Sequence, residues 1–161
     1  MTEENKERTK LYIHVPSNVV RNEDDIYLSN DEFLLYARLC FLYFRNYQEN
    51  EIEFDHKKLM VFLKISDTRT YKSRLQKLFK FGLIETEINK LPTKGNMRIS
   101  FNSKAYENCS HFTKISAELF TYWRNDQIDE YAFRQVFYYK SHINMDDKEN
   151  DKSYCFVGDS C

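Results

Sequence analysis

The sequence predicts a mainly α-helical fold that carries a small β-hairpin and continues into a strand-helix appendage. Three observations lead there. A long helical stretch over residues 29–47 is apolar on nearly every side. Two further helical stretches, residues 56–65 and 67–81, are separated by a tight turn and closed by Gly82. Two alternating segments around "LPTKGN" follow immediately. Periods near 3.6 mark helices and periods of two mark strands.

The elements follow in order. Residues 1–10 are polar and read as a disordered lead. "LYIHV" alternates as a short strand closed by Pro16, and "RNEDD" is an acidic loop. Ser29 and Glu32 have the spacing of a capping box, opening a helix that runs to about Tyr47. Phe33, Leu34, Leu35, Leu39, Phe41, Leu42 and Phe44 cannot all face one stripe, so this helix should be central and covered on a second face. "EIEF" is a short strand. Asp55 caps "HKKLMVFLKI", with Leu59, Met60 and Leu63 inward. Ser66 caps the helix from Asp67 to Phe81, and Gly82 ends it by accepting left-handed backbone. "LIETEI" and "MRISF" then form the hairpin, with the turn residues of "LPTKGN" between them.

After Asn102 the sequence echoes its beginning. "HFTKISAELF", an acidic loop and "EYAFRQVFYYKSHIN" repeat the order of strand, acidic loop and aromatic helix. An offset of 96 places Arg38 on Arg134, Phe41 on Phe137 and Tyr43 on Tyr139, while the strands align at 100 with a shorter intervening loop. Two readings stay open: a duplicated unit, or two unrelated aromatic helices. In the first, the second unit ends near "SYCFVGD", before a second pair of helices.

Composition narrows the function. A hydrophobic share of 42% supports one core, and an aromatic share of 16% makes much of it ring packing. Cys40, Cys109, Cys155 and Cys161 form no CxxC pair and the histidines are scattered, so neither a zinc site nor a disulfide framework is expected. No cofactor is implied. The acidic loop lacks the spaced ligands of a calcium site. No membrane span or signal peptide is legible, and a soluble cytoplasmic chain is the expectation. With three glycines, no Gly-rich phosphate loop, nucleophile elbow or HExxH, an enzyme is not expected.

Charge is more informative. Between Lys57 and Lys104 stand 12 Lys or Arg against Asp67, Glu85 and Glu87, a local excess of nine positive charges in a chain of net charge −1. Such asymmetry predicts a face for a polyanion. Around the helix from Asp67 to Phe81, advancing 100° per residue puts Tyr71, Leu75, Leu78, Phe79 and Gly82 in one apolar sector. Opposite lie Arg69, Thr70, Ser73, Gln76, Lys77 and Lys80, with Lys72 and Arg74 at the margins. A major groove admits one helix, so Arg69 and Gln76 suit bidentate base contacts, Thr70 and Ser73 bases or phosphates, and Lys77 and Lys80 phosphates. Lys90, Lys94 and Arg98 on the hairpin would follow an adjacent phosphate or minor groove. Tyr36, Tyr43 and Tyr71 are assigned to packing, Trp123 to an anchor, and His56, beside Lys57 and Lys58, to the surface in preference to a phosphate contact.

"FDHKKLMVFLKISDTRTYKSRLQKLFKFGLIE" resembles the helix-turn-helix of bacterial winged-helix DNA-binding proteins, through Leu59, Ile65, Ser66, Thr70, Leu75, Leu78, Gly82, Leu83 and Ile84. Met60 stands where that family usually has alanine. The resemblance spans about residues 28–102. With the leading strand and the later echo, the whole is similar to the amino-terminal region of replication initiator, or replisome organiser, proteins of Gram-positive plasmids and phages. It implies a winged-helix DNA-binding domain over 11–104, an extension over 105–161, and double-stranded DNA as partner. Replication control of a mobile element and transcriptional regulation both remain open, with a possible replication or transcription protein as a further partner. The aromatic surplus of the first helix and of "YAFRQVFYY" predicts a homodimer. The competing reading is a winged helix that contacts another protein.

Overall fold

The computed structural model describes residues 11–93, 95–104 and 111–150, with side chains as far as His142. The expected disordered lead, Lys94 and the "SYCFVGD" segment lie outside the described residues. The chain is mixed α/β. Its elements are β1 (Tyr12–Pro16), α1 (Ser17–Val20), α2 (Asn30–Arg45), β2 (Glu51–Asp55), α3 (His56–Phe62), α4 (Thr68–Lys80), β3 (Asn96–Ser100), β4 (Phe112–Ser116), α5 (Glu118–Arg124) and α6 (Glu130–Asn150). Two antiparallel ribbons form, β1 with β4 and β2 with β3. No helix among the described residues is long and apolar enough to cross a membrane.

Helix α2 is central, as its apolar circumference predicts. Its capping box is made in both directions: Ser29 Oγ accepts from Glu32 N–H at 3.2 Å, and Glu32 Oε1 accepts from Ser29 N–H at 2.9 Å. On one side Tyr36 and Tyr43 stack on Phe101, at ring centroid distances of 5.9 and 4.5 Å. On the other, Phe33 meets Phe133 and Phe137, and Phe41 meets Phe120. The aromatic surplus of α2 is therefore consumed within the chain, which withdraws α2 as a motive for dimerisation.

The echo in the sequence has a simpler structural form than offsets of 96 and 100. Strands β1 and β4 differ by 100 at both ends, and so do the starts of α2 and α6. A single spacing thus aligns strands and helices, and the two connections have equal length. Under it Val15, Val19, Val20, Leu28 and Phe33 correspond to Ile115, Leu119, Phe120, Ile128 and Phe133, every one packed in or against the core. The caps correspond too: Asp129 Oδ1 accepts from Ala132 N–H at 2.8 Å, three residues on, as Ser29 does from Glu32. The two strands pair with His14 opposite Lys114, so a local two-fold passes between equivalent residues.

The hairpin differs from expectation. β3 pairs with β2, not with a strand over 83–88. The first arm keeps one bridge, Ile84 to Phe101, and Glu85 N–H donates to Ser100 O at 2.7 Å. Beyond it Thr86 Oγ1 intercepts the Ser100 N–H, also at 2.7 Å. The chain then leaves β3 for α4, where Gln76 Nε2 donates to Ile88 O at 2.8 Å and Lys72 Nζ to Asn89 O at 3.2 Å. Alternation was present, but these side chains captured the carbonyls a ladder would have used.

Candidate nucleic-acid interface

Helix α4 is presented by the turn that precedes it. Helix α3 opens at Asp55, whose Oδ1 accepts from Lys57 and Lys58 N–H. It ends at Lys64 in left-handed backbone (φ 60°), with Ile65 N–H reaching Met60 O and Lys64 N–H reaching Val61 O, a Schellman closure. Helix α5 braces this turn. Arg124 Nη1 donates to Val61 O and Phe62 O, Trp123 Nε1 donates to Phe62 O, and Lys64 Nζ donates to Trp123 O and pairs with Asp126. Trp123 is thus an anchor as expected, and the echo unit holds the turn rigid.

The N-cap of α4 is Asp67, not Ser66: Asp67 Oδ1 accepts from Arg69 N–H at 2.9 Å. A carboxylate there also suits the positive end of the helix dipole. Gly82 closes the helix at φ 76°, with Leu83 N–H on Leu78 O, as the sequence predicts. Of the apolar sector, Tyr71, Leu75 and Leu78 are buried, whereas Phe79 lies partly in solvent. Burial pushes the Tyr71 phenol well above its ordinary range.

The outward face carries the predicted residues unevenly. Arg69, Ser73, Gln76 and Lys80 are exposed; Thr70, Lys72 and Lys77 are half-buried. The Arg69 side chain is 92% exposed, with its Nε 3.7 Å from the Asp67 carboxylate. Gln76 and Lys72 each spend a donor on the returning arm, so their base- and phosphate-directed roles require those bonds to be shared or exchanged. Lys90 is exposed beside α4. Arg98 is not gathered there: it faces Glu53 at 3.2 Å and Glu51 at 3.8 Å across the β2–β3 ribbon. Hydrogen bonds from Asn96 and then Arg98 hold the Glu53 carboxyl below its usual range.

What the fold does bring together is a groove of about 360 Å³ between the start of α3, the first turns of α4 and segment 89–93. Lys57, Arg69, Lys72 and Lys90 line it, and among the described residues no carboxylate does. Thr68 and Asn89 add polar groups, and Leu91 and Pro92 close the wall. Sequence reasoning left Lys57 out of the candidate site, although Lys57 stands beside His56, for which a phosphate contact was weighed. For His56 it preferred the surface to a phosphate contact, whereas the ring is 1% exposed and sits in the groove wall. Compared with known proteins, the chain matches no family model, no curated protein and no solved structure, and the site therefore rests on its own geometry.

Proposed function

We propose that this chain is a winged-helix protein that binds double-stranded DNA, with α4 entering the major groove and segment 89–93 following the adjacent phosphate backbone. One observation carries the reading: four cations converge on one groove beside an exposed helix face, with no acid among its lining residues. Exposed cations separated by solvent are ordinary. Convergence with Asp67 beside Arg69 as the one carboxylate paired with these cations among the described residues leaves an excess positive field that favours a polyanion. Arg69 and Ser73 stand where base edges would lie, Lys57, Lys72 and Lys90 where phosphates would, and Lys77 and Lys80 further along the same strand. The biological role is replication initiation or control of a plasmid or phage, or transcriptional regulation. A homodimer remains part of the proposal through Tyr131, Tyr138 and Tyr139, exposed on α6.

Titration of duplex DNA at rising salt tests this. Affinity should fall steeply, by a slope of about −0.9 per phosphate neutralised. Arg69→Ala should weaken preferred sites more than random duplex, and Lys80→Ala should weaken both alike. A folded sample that binds no duplex at low salt would favour the protein-interaction reading instead.

A further inference from the structure

His56 begins α3 behind the Asp55 cap, yet its ring is sealed into the wall of the cationic groove. Both ring nitrogens are shielded from water and have no hydrogen-bond partner among the described residues. The Tyr71 hydroxyl beneath is in the same condition, and the two rings stack with centroids 6.3 Å apart. Leaving buried polar atoms unmade is costly, and a leucine or phenylalanine would fill this place without that cost. An imidazole held there makes sense where a ligand completes its bond. The ligand's charge follows from the other walls: Lys57, Arg69, Lys72 and Lys90, without a carboxylate.

We propose that a backbone phosphate of the bound DNA seats in this groove, one oxygen accepting the His56 imidazole N–H while the others meet Lys57, Lys72 and Lys90. The inference rests on the DNA-binding reading above and adds an imidazole hydrogen bond to it. Segment 89–93 has no regular secondary structure and supplies the wall that yields as the phosphate enters. A hydrogen bond contributes affinity by its geometry, whereas each lysine also displaces a counterion and so contributes to the salt slope.

His56→Phe keeps a ring against Tyr71 and removes both nitrogens. Affinity for preferred and random duplex alike should fall by about tenfold at fixed salt, the value of one good hydrogen bond, with the salt slope unchanged. Lys72→Ala should instead lower the slope by about 1. Wild-type affinity in a folded His56→Phe variant would overturn the phosphate seat and leave DNA binding intact. Absence of duplex binding by the wild type would overturn both. Should His56→Phe fail to fold, ¹⁵N spectra of the wild-type imidazole decide: duplex should shift the His56 ring nitrogens, and an unmoved resonance in the saturated complex would sink the proposal.

Discussion

Arg134 joins the two halves of the molecule, and replacing it by methionine measures what that joint is worth. Its guanidinium donates to the carbonyls of Val19 and Val20, each at 3.3 Å, and to that of Leu28. It also reaches Asn22 Oδ1 at 2.7 Å and Asn30 Oδ1 at 3.4 Å, and lies 4.9 Å from the centre of the Phe33 ring. Burial lowers its proton affinity, with Glu32 opposing, so the cation is held mainly by neutral oxygens. Methionine preserves the stem against Phe33 and removes every donor. Three carbonyls left without this partner, at about 1 kcal/mol each, give a loss of about 3 kcal/mol, a large part of the typical 5–15 kcal/mol of a domain. Trp123 is the chain's single tryptophan and lies in α5, so its fluorescence reports urea unfolding of the echo unit directly. The midpoint should fall by about 1–2 M. A loss below about 0.5 kcal/mol, the range of an inconsequential surface change, would refute the assignment of Arg134 as the joint.

Three further outcomes are expected. Asp67→Asn keeps a capping oxygen but removes the carboxylate beside Arg69, so duplex affinity at low salt should rise up to about fivefold, as one exposed ion pair allows. Phe101→Ala empties the stack between Tyr36 and Tyr43 and should cost about 3–5 kcal/mol by thermal or urea unfolding. Burial, followed by Lys114, lowers the His14 imidazole below its ordinary value of about 6.5. The unfolded chain then binds that proton more readily, so stability is held above about pH 6.5 and declines as acid is added below it. His14→Gln should flatten that decline.

Much of this arrangement was legible because it depends on local chemistry. The Ser29–Glu32 box, the Asp55 cap and the Gly82 stop are each decided within one turn of helix, and the structure shows all three. The burial of α2 on two faces was legible for the same reason: its apolar residues outnumber one stripe. What stayed hidden depends on partners distant in sequence. Nothing near "LIETEI" announces that Gln76 and Lys72 will take the carbonyls of Ile88 and Asn89, 12 and 17 residues further on. The β1–β4 pairing spans the described chain. The groove itself combines the residue behind one cap with three cations from later elements, and a helical wheel drawn for α4 alone cannot contain Lys57 or His56.

The shared position of α2 leads to a last prediction about cooperativity. A chain ended at residue 104 keeps α3, α4 and β3 but loses β4, against which Ile13 and Val15 are registered, and α5 and α6, which cover Phe33 and Phe41. Burying each such side chain contributes about 1.5–3 kcal/mol, so exposing Phe33, Phe41, Ile13 and Val15 together removes about 6–12 kcal/mol, comparable to the whole net stability of a domain. The turn before α4 also loses Trp123 and Arg124, which satisfy the last carbonyls of α3. The truncated chain should therefore show little chemical-shift dispersion and bind duplex weakly even at low salt, despite retaining every cation of the groove. In the intact chain, Trp123 fluorescence and far-ultraviolet ellipticity should report one coincident transition. A well-dispersed spectrum from the truncated chain, with duplex affinity near that of the intact one, would show that α4 and its groove need no support from the echo unit.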